Sequence, residues 1–292
     1  MSVREKEISE GKEIMPTGPK GLVYLYCVTK TKPNGVNSEN VGAQIYSIDS
    51  DGVYAIVRKV SLDDFSEERL KEKLSDMNWI EQKVLEHENM IEKIMQHTTV
   101  IPFKFPTIFH TEENVRKLLR QRGGEFRETI AYLENREEWG LKIYCDMREF
   151  KESIAKEDKR IKEKEQEISF ASKGKAYFLK KKKDELVKDI VREKISEYMK
   201  DCFERLKRPC LETKINRILP KEVTEKDHEM VFNVAFLINK NRIKDFENGL
   251  SYLKTKYSDK GLIFDCTGPW PAYNFCQMKP ELTERSERKF AG

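Results

Sequence analysis

Apolar residues along this chain change their period several times, and each change marks an element. "GLVYLYCVT" (21–29), "QIYSID" (44–49) and "GVYAIVRKV" (52–60) are short runs rich in valine, isoleucine and tyrosine, bounded by Gly, Asn and Asp, which is strand composition. The Asp51-Gly52 pair predicts a tight hairpin over 45–57. From Ser66 the apolar residues Leu70, Leu74, Met77, Ile80, Val84, Leu85, Ile91, Ile94 and Met95 recur at three- and four-residue spacing up to His97, which predicts helix with a break near Asn78. "TTVIPFKFPTIF" (98–109) returns to strand composition, with two prolines that confine it to an edge or split it. Thr111 is a candidate N-cap for a helix to about Asn135, interrupted at Gly123 and Gly124, and "EWGLKIYCDM" (138–147) is the next strand.

Beyond Arg148 the chain is most highly charged, up to Arg208, with one apolar stripe at Leu179, Leu186, Val187, Ile190, Val191, Ile195, Tyr198, Met199, Cys202 and Leu206. Ile154, Ile161 and Ile168 precede it at seven-residue spacing. With Gly174 between the two parts, the pattern reads as two helices or one bent helix, projecting as a hairpin or a weak coiled coil. "LETKINRIL" (211–219) and "MVFNVAFLIN" (230–239) follow as strands joined by a polar turn. A helix over 241–257 and a last strand, "GLIFDCTGPW" (261–270), close the set.

The order β, long α, β, β, α, β is that of a split βαβ, the ferredoxin-like pattern of a four-stranded antiparallel sheet with two crossovers. The expected fold class is therefore α/β (α+β) with two domains. A flexible tail (1–20) precedes an N-terminal α/β domain (21–138). A ferredoxin-like domain with inserted long helices (139–267) then leads to a C-terminal Gly-Pro-Trp-Pro segment and tail (268–292). At 292 residues the length also favours two cores.

An apolar fraction of 38% against 36% charged residues points to solvated helices flanking modest cores. The 55 basic and 51 acidic residues nearly cancel and are interspersed, a balance that predicts no nucleic-acid partner. Lys180 to Lys183 are the strongest local exception and read as a solvated helix face. No apolar run is long enough to span a membrane, and the N-terminus has charges without an apolar core, so the expectation is a cytoplasmic protein with reduced cysteines.

Motifs for nucleotide phosphates and for an esterase-type serine are missing, the cysteines form no Cys-x-x-Cys pair and the four histidines are scattered. Neither a catalytic group, a metal nor a cofactor is expected. His87 beside Glu88 in the first long helix is the one pair with acid–base potential, and it reads as structural. Aromatics around Lys104 in "PFKFPTIF" have the flavour of an RNA-stacking strand but lack its glycines. "GPWPAYNF" (268–275) must be a stiff extended segment, since Pro269 and Pro271 fix φ and remove donors on either side of Trp270.

Three stretches in order resemble one family, the gas-vesicle accessory proteins GvpF and GvpL. They are "HENMIEKIMQHTTVIPFKFPTIFHTEENVRKLL" (87–119), "GKAYFLKKKKDEL" (174–186) and "GPWPAYNF", with Pro106 where the family has Gly and Ala272 where it has a third proline. The resemblance implies a non-enzymatic assembly factor, located at forming gas vesicles, whose partners are the small hydrophobic shell protein and other accessory proteins. It also implies an N-terminal α/β domain and a modified ferredoxin-type C-terminal domain. For such a task the sequence offers the strand around Phe103, Phe105 and Phe109 and the stripe bearing Leu179, Leu186 and Ile190. Pro269, Trp270, Pro271 and Tyr273 are expected to lash the C-terminus across the body at the domain interface. The alternatives are a ferredoxin-fold enzyme using His87 and an RNA-binding module.

Overall fold

The computed structural model describes residues 21–33 and 45–276. The expected tail over 1–20, residue 44 of the second predicted strand and the chain from 277 onward lie outside the described residues.

β1 (Leu22–Thr29) is buried at all eight positions, which explains why its sequence is a continuous apolar run rather than an alternation. Its sheet has the order β2 (Ile45–Ser50), β3 (Val53–Val60), β1, β4 (Val100–Pro102), and β5 (Ile108–Phe109) also pairs with β1. All pairings are antiparallel. Between β2 and β3, Asp51 (φ 52°) and Gly52 (φ 72°) are both left-handed, the backbone that a two-residue hairpin turn demands. Residues 98–109 are split, as two prolines require: Pro102 ends β4, and β5 begins only after Pro106.

Helices cover both faces of this sheet. α1 (Leu62–Phe65), α2 (Glu67–Lys73) and α3 (Met77–Met95) lie on one side and α4 (Glu112–Leu133) on the other. Tyr24 and Tyr26 of β1 pack with Phe65, Ile91 and Ile94, whereas Val23 and Leu25 pack with Val115, Leu119, Phe126 and Ile130. A bulge between Leu25 and Cys27 puts Tyr26 and Cys27 on the same side and returns Val28 to the α4 side.

The expected helix break near Asn78 falls instead at 74–76. Asp76 caps α3, its carboxylate accepting from the backbone N–H of Asn78 and Trp79. Gly123 and Gly124 do not interrupt α4, because burial of Leu119, Phe126 and Ile130 on either side outweighs their cost of about 1 kcal/mol each. Thr111 caps α4 as its sequence predicts, accepting from the N–H of Asn114.

β6 (Arg136–Cys145) opens the second sheet two residues before the predicted strand and stops where Asp146 caps α5 (Met147–Glu157). α6 (Lys159–Ser169) and α7 (Lys173–Leu206) follow, so the charged stretch forms three helices rather than two. Asp158 divides the first pair by capping α6, and Gly174 sits inside the first turn of α7 instead of between helices. β7 (Cys210–Ile215) is shorter than predicted, and the polar turn after it contains α8 (Lys221–Thr224). β8 (Glu229–Asn239), α9 (Ile243–Lys256) and β9 (Leu262–Trp270) follow. The sheet order β7-β8-β6-β9 with antiparallel neighbours is that expected of a split βαβ.

One face of this sheet carries the main core, in which Ile143, Phe232, Val234 and Phe236 meet Phe150 and Ile154 of α5, Ile190, Cys202 and Leu206 of α7 and Phe246 of α9. The opposite face, at Ala235 and Leu237 of β8, is covered by Leu133 at the end of α4 and by Ala272 and Phe275.

Candidate functional site

Where the chain leaves β9 it turns back between the two sheets. Pro269 and Trp270 are exposed at the end of that edge strand, and the Trp270 indole N–H donates to Thr267 Oγ1 at 3.0 Å. Burial begins at Pro271 and Ala272. Ala272 and Phe275 pack on the second face of the C-terminal sheet, Tyr273 packs against the α3-side cluster, and Cys276 touches both the α4-side cluster and the Ala235–Leu237 cluster. Five consecutive residues thus reach three separate cores.

Polar groups fix the segment at two points. The carboxylate of Glu138, buried on β6, accepts from the Asn274 backbone N–H at 3.0 Å and from Asn274 Nδ2 at 2.6 Å. Burial pushes this carboxyl above the ordinary range, and the two Asn274 donors oppose the shift. On the other side, Tyr273 Oη donates to Glu88 Oε1 of α3 at 2.9 Å. Glu88 is likewise raised by burial, with the Tyr273 hydrogen bond acting against it.

His87, one residue before Glu88, is 1% exposed. Its Nε2 lies 2.8 Å from the carbonyl of Phe103, which can only accept, so Nε2 carries the proton and Nδ1 accepts from Tyr24 Oη at 2.8 Å. Burial holds the imidazole below the ordinary histidine range, and the Phe103 carbonyl acts in the opposite sense. The ring stacks on Tyr26 at 5.5 Å and meets Phe105 edge-on at 6.0 Å. Beside it lies a cavity of about 10 Å³, bounded by Tyr26, Arg58, Lys83, Glu86 and Phe105, which is room for a single water. Both ring nitrogens are committed, and the cavity beside them is too small for a substrate.

The structure brings together Phe103, Phe105 and Tyr273 around His87. Phe103 and Phe109 are half-buried against the α4-side cluster and Phe105 against the α3-side cluster. Leu179, Leu186 and Ile190 lie apart from this site on α7. Leu179 and Ile190 are buried, and Ile190 and half-buried Leu186 pack on the C-terminal core, so from Leu186 inward the apolar stripe is taken up by the chain's own fold. Tyr24, Glu138, Asn274 and Phe275 were not singled out by sequence. The first two read only as strand residues, and the last two lay unassigned inside "GPWPAYNF". An acidic residue before the Trp139–Cys145 run was the one available signal for Glu138.

Among the described residues no group of three or more His, Cys, Asp or Glu is placed to hold a metal ion. The six cysteines are free, and burial pushes the thiols of Cys145, Cys202 and Cys210 up to about 12. None of the described helices is long and apolar enough to cross a membrane.

Fold and junction together define a two-sheet protein of mixed helix and strand whose most buried polar groups brace its own chain. The same fold occurs in the crystal structure of the gas vesicle protein GvpF from Anabaena sp. PCC7120, at a TM-score of 0.64 and 19% identity over 89% of this chain and 99% of that one. GvpF from Microcystis aeruginosa gives a TM-score of 0.62 at 18% identity over 89% and 100%. In sequence the chain is similar to gas vesicle protein L1 of Halobacterium salinarum, 24% identical over 262 residues that cover 86% of this chain and 89% of that protein. Similarity to gas vesicle protein L of a Streptomyces species is 22% over 265 residues, covering 89% and 94%. The profile of the gas vesicle synthesis proteins GvpL/GvpF matches residues 22–277, and the chain belongs to that family. Its role is in gas vesicle formation.

Proposed function

We propose that the protein is a non-catalytic, cytoplasmic assembly factor that binds the small hydrophobic shell protein, and other accessory proteins, at forming gas vesicles. Within a chain of this family, the closed surroundings of His87 are the observation that carries the non-catalytic reading: a general base needs a free nitrogen and a reachable substrate, and His87 has neither. The same enclosure argues against the enzyme alternative. The RNA alternative loses support because Phe103 and Phe105 are half-buried against the protein's own clusters, whereas base stacking needs whole ring faces in solvent.

A shell subunit must keep its apolar face covered until it is built in. With the α7 stripe occupied internally, capture falls to the end of the N-terminal sheet, where β4 and β5 offer a backbone edge for an added strand flanked by half-buried Phe103, Phe105 and Phe109. Surplus charge elsewhere keeps such a complex soluble.

The test is co-expression with the shell protein of the same cell, followed by affinity pull-down at low and high salt. Retention that survives high salt is the expected result, because apolar contact is not screened. Loss of the shell protein at both salts overturns direct capture.

A further inference from the structure

The α6–α7 hairpin ends in aromatic side chains that no described residue covers. Phe170 at the end of α6 is 91% exposed, and Tyr177 and Phe178 in the second turn of α7 are 70% and 66% exposed. Tyr177 and Phe178 contact each other edge to face, with centroids 5.8 Å apart. Just below them buried Leu179 closes the hairpin. Leu186 is the outermost α7 residue that packs on the core, so residues 173–185 carry the tip about 20 Å beyond it. Two cross-links stiffen this arm: Lys183 Nζ to Glu165 Oε1 at 2.8 Å, and Arg160 Nη1 to Glu193 Oε2 at 2.9 Å.

Charge at the tip is one-sided. Between residues 170 and 183 the chain has Lys173, Lys175, Lys180, Lys181, Lys182 and Lys183 and no carboxylate, and Asp184 and Glu185 close the run. Glu163, Glu165 and Glu167 on α6 offset part of it. Glu167 is held below the ordinary carboxylate range first by its hydrogen bond to Lys164 and further by the fields of Lys175 and Lys182.

Exposed aromatics at the end of a braced protrusion are the composition of a contact surface rather than of a solvated helix end. We propose that this tip is a docking surface for an acidic amphipathic helix of a protein partner. The partner's apolar side chains would cover Phe170, Tyr177 and Phe178 while its carboxylates meet the lysines. Lys180 to Lys183 occupy four successive positions and so encircle α7, whereas a helix lying on a membrane keeps one uncharged face. A nucleic-acid track would need the basic surface to continue beyond the tip, and Asp184, Glu185 and the α6 glutamates end it. This surface is separate from the sheet edge assigned to the shell protein and does not rest on that assignment.

The experiment uses the full chain and a fluorescent synthetic peptide of leucine and glutamate, with leucines at i, i+3, i+4 and i+7, read by anisotropy against a scrambled peptide of equal composition. The patterned peptide should saturate, and the scrambled one should bind at least about 5-fold more weakly. The triple variant Phe170→Ser, Tyr177→Ser, Phe178→Ser and, separately, Lys180→Glu with Lys182→Glu should each weaken binding about 10-fold or more with an unchanged melting temperature. Added salt should weaken it severalfold without abolishing it. Equal binding of the scrambled peptide, or full binding by the triple variant, overturns the proposal. So does tip-dependent binding of phosphatidylglycerol vesicles or poly(U) RNA without peptide binding, or self-association of the chain that the triple variant abolishes. Shell-protein retention by the triple variant should match the wild type, and its loss would refute the separation of the two surfaces.

Discussion

Tyr273 and Glu88, 185 positions apart in sequence, are joined by a 2.9 Å hydrogen bond that ties the C-terminal segment to α3. Since Glu88 is half-buried, deleting the donor leaves a partly desolvated carboxylate. Tyr273→Phe should cost about 1–2 kcal/mol, read by chemical denaturation. An unchanged midpoint would show that water replaces the hydroxyl without loss.

Phe275, not Trp270, should be the anchor of this segment. Phe275 is 1% exposed whereas Trp270 is 38% exposed. Phe275→Ala is expected to cost about 3–5 kcal/mol, and Trp270→Ala no more than about 1.5 kcal/mol, by the same measurement. The reverse order would mean that the edge-strand tryptophan is covered in solution.

Gly268 has φ +145°, and a Cβ placed on it would stand 3.0 Å from the Glu138 carbonyl oxygen and 3.1 Å from Trp139 Cδ2. Backbone and ring both resist that approach. Gly268→Ala should therefore destabilise by about 2–4 kcal/mol. Wild-type stability in that variant would show that β9 can slide away from β6.

His87 should be neutral at pH 7 and protonated on Nε2, which nitrogen-detected NMR can read directly. Its folded pKa is depressed by burial, so the stability it contributes is present above the ordinary histidine pKa and is lost as pH falls below it. His87→Ala removes partners from both Tyr24 and the Phe103 carbonyl and should cost about 2–4 kcal/mol. A protonated ring at pH 7, or the opposite tautomer, would refute the assigned donor pattern.

Glu138 runs the other way. Its folded pKa is raised by burial, so its protonation favours the folded state and that benefit fades as pH climbs through and above the ordinary carboxylate range. Relative to Glu138→Gln, which does not titrate, wild-type stability should fall across that window, and parallel curves would contradict the raised carboxyl.

The element types and the split βαβ order came from the sequence, because apolar period and turn chemistry are local properties. β1 announced its two-sided burial by an unbroken apolar run, and Asp51-Gly52 announced a left-handed turn. The helix boundaries at Asp76 and Asp158 are not legible in the apolar pattern, because the apolar repeat continues past each capping carboxylate. "GPWP" stood out by composition, yet the contacts that hold the C-terminal segment are made by Tyr273, Asn274 and Phe275 with Glu88, Glu138 and Leu237. Those partners lie more than thirty residues away, and no spacing rule links them. The α7 stripe shows the same limit, since amphipathicity says that a face will be covered but not by what. Local physics in the sequence determined which segments fold and how. Only the tertiary structure decided that His87 is sealed between two chain segments, and that Phe170, Tyr177 and Phe178 stay in water at the hairpin tip.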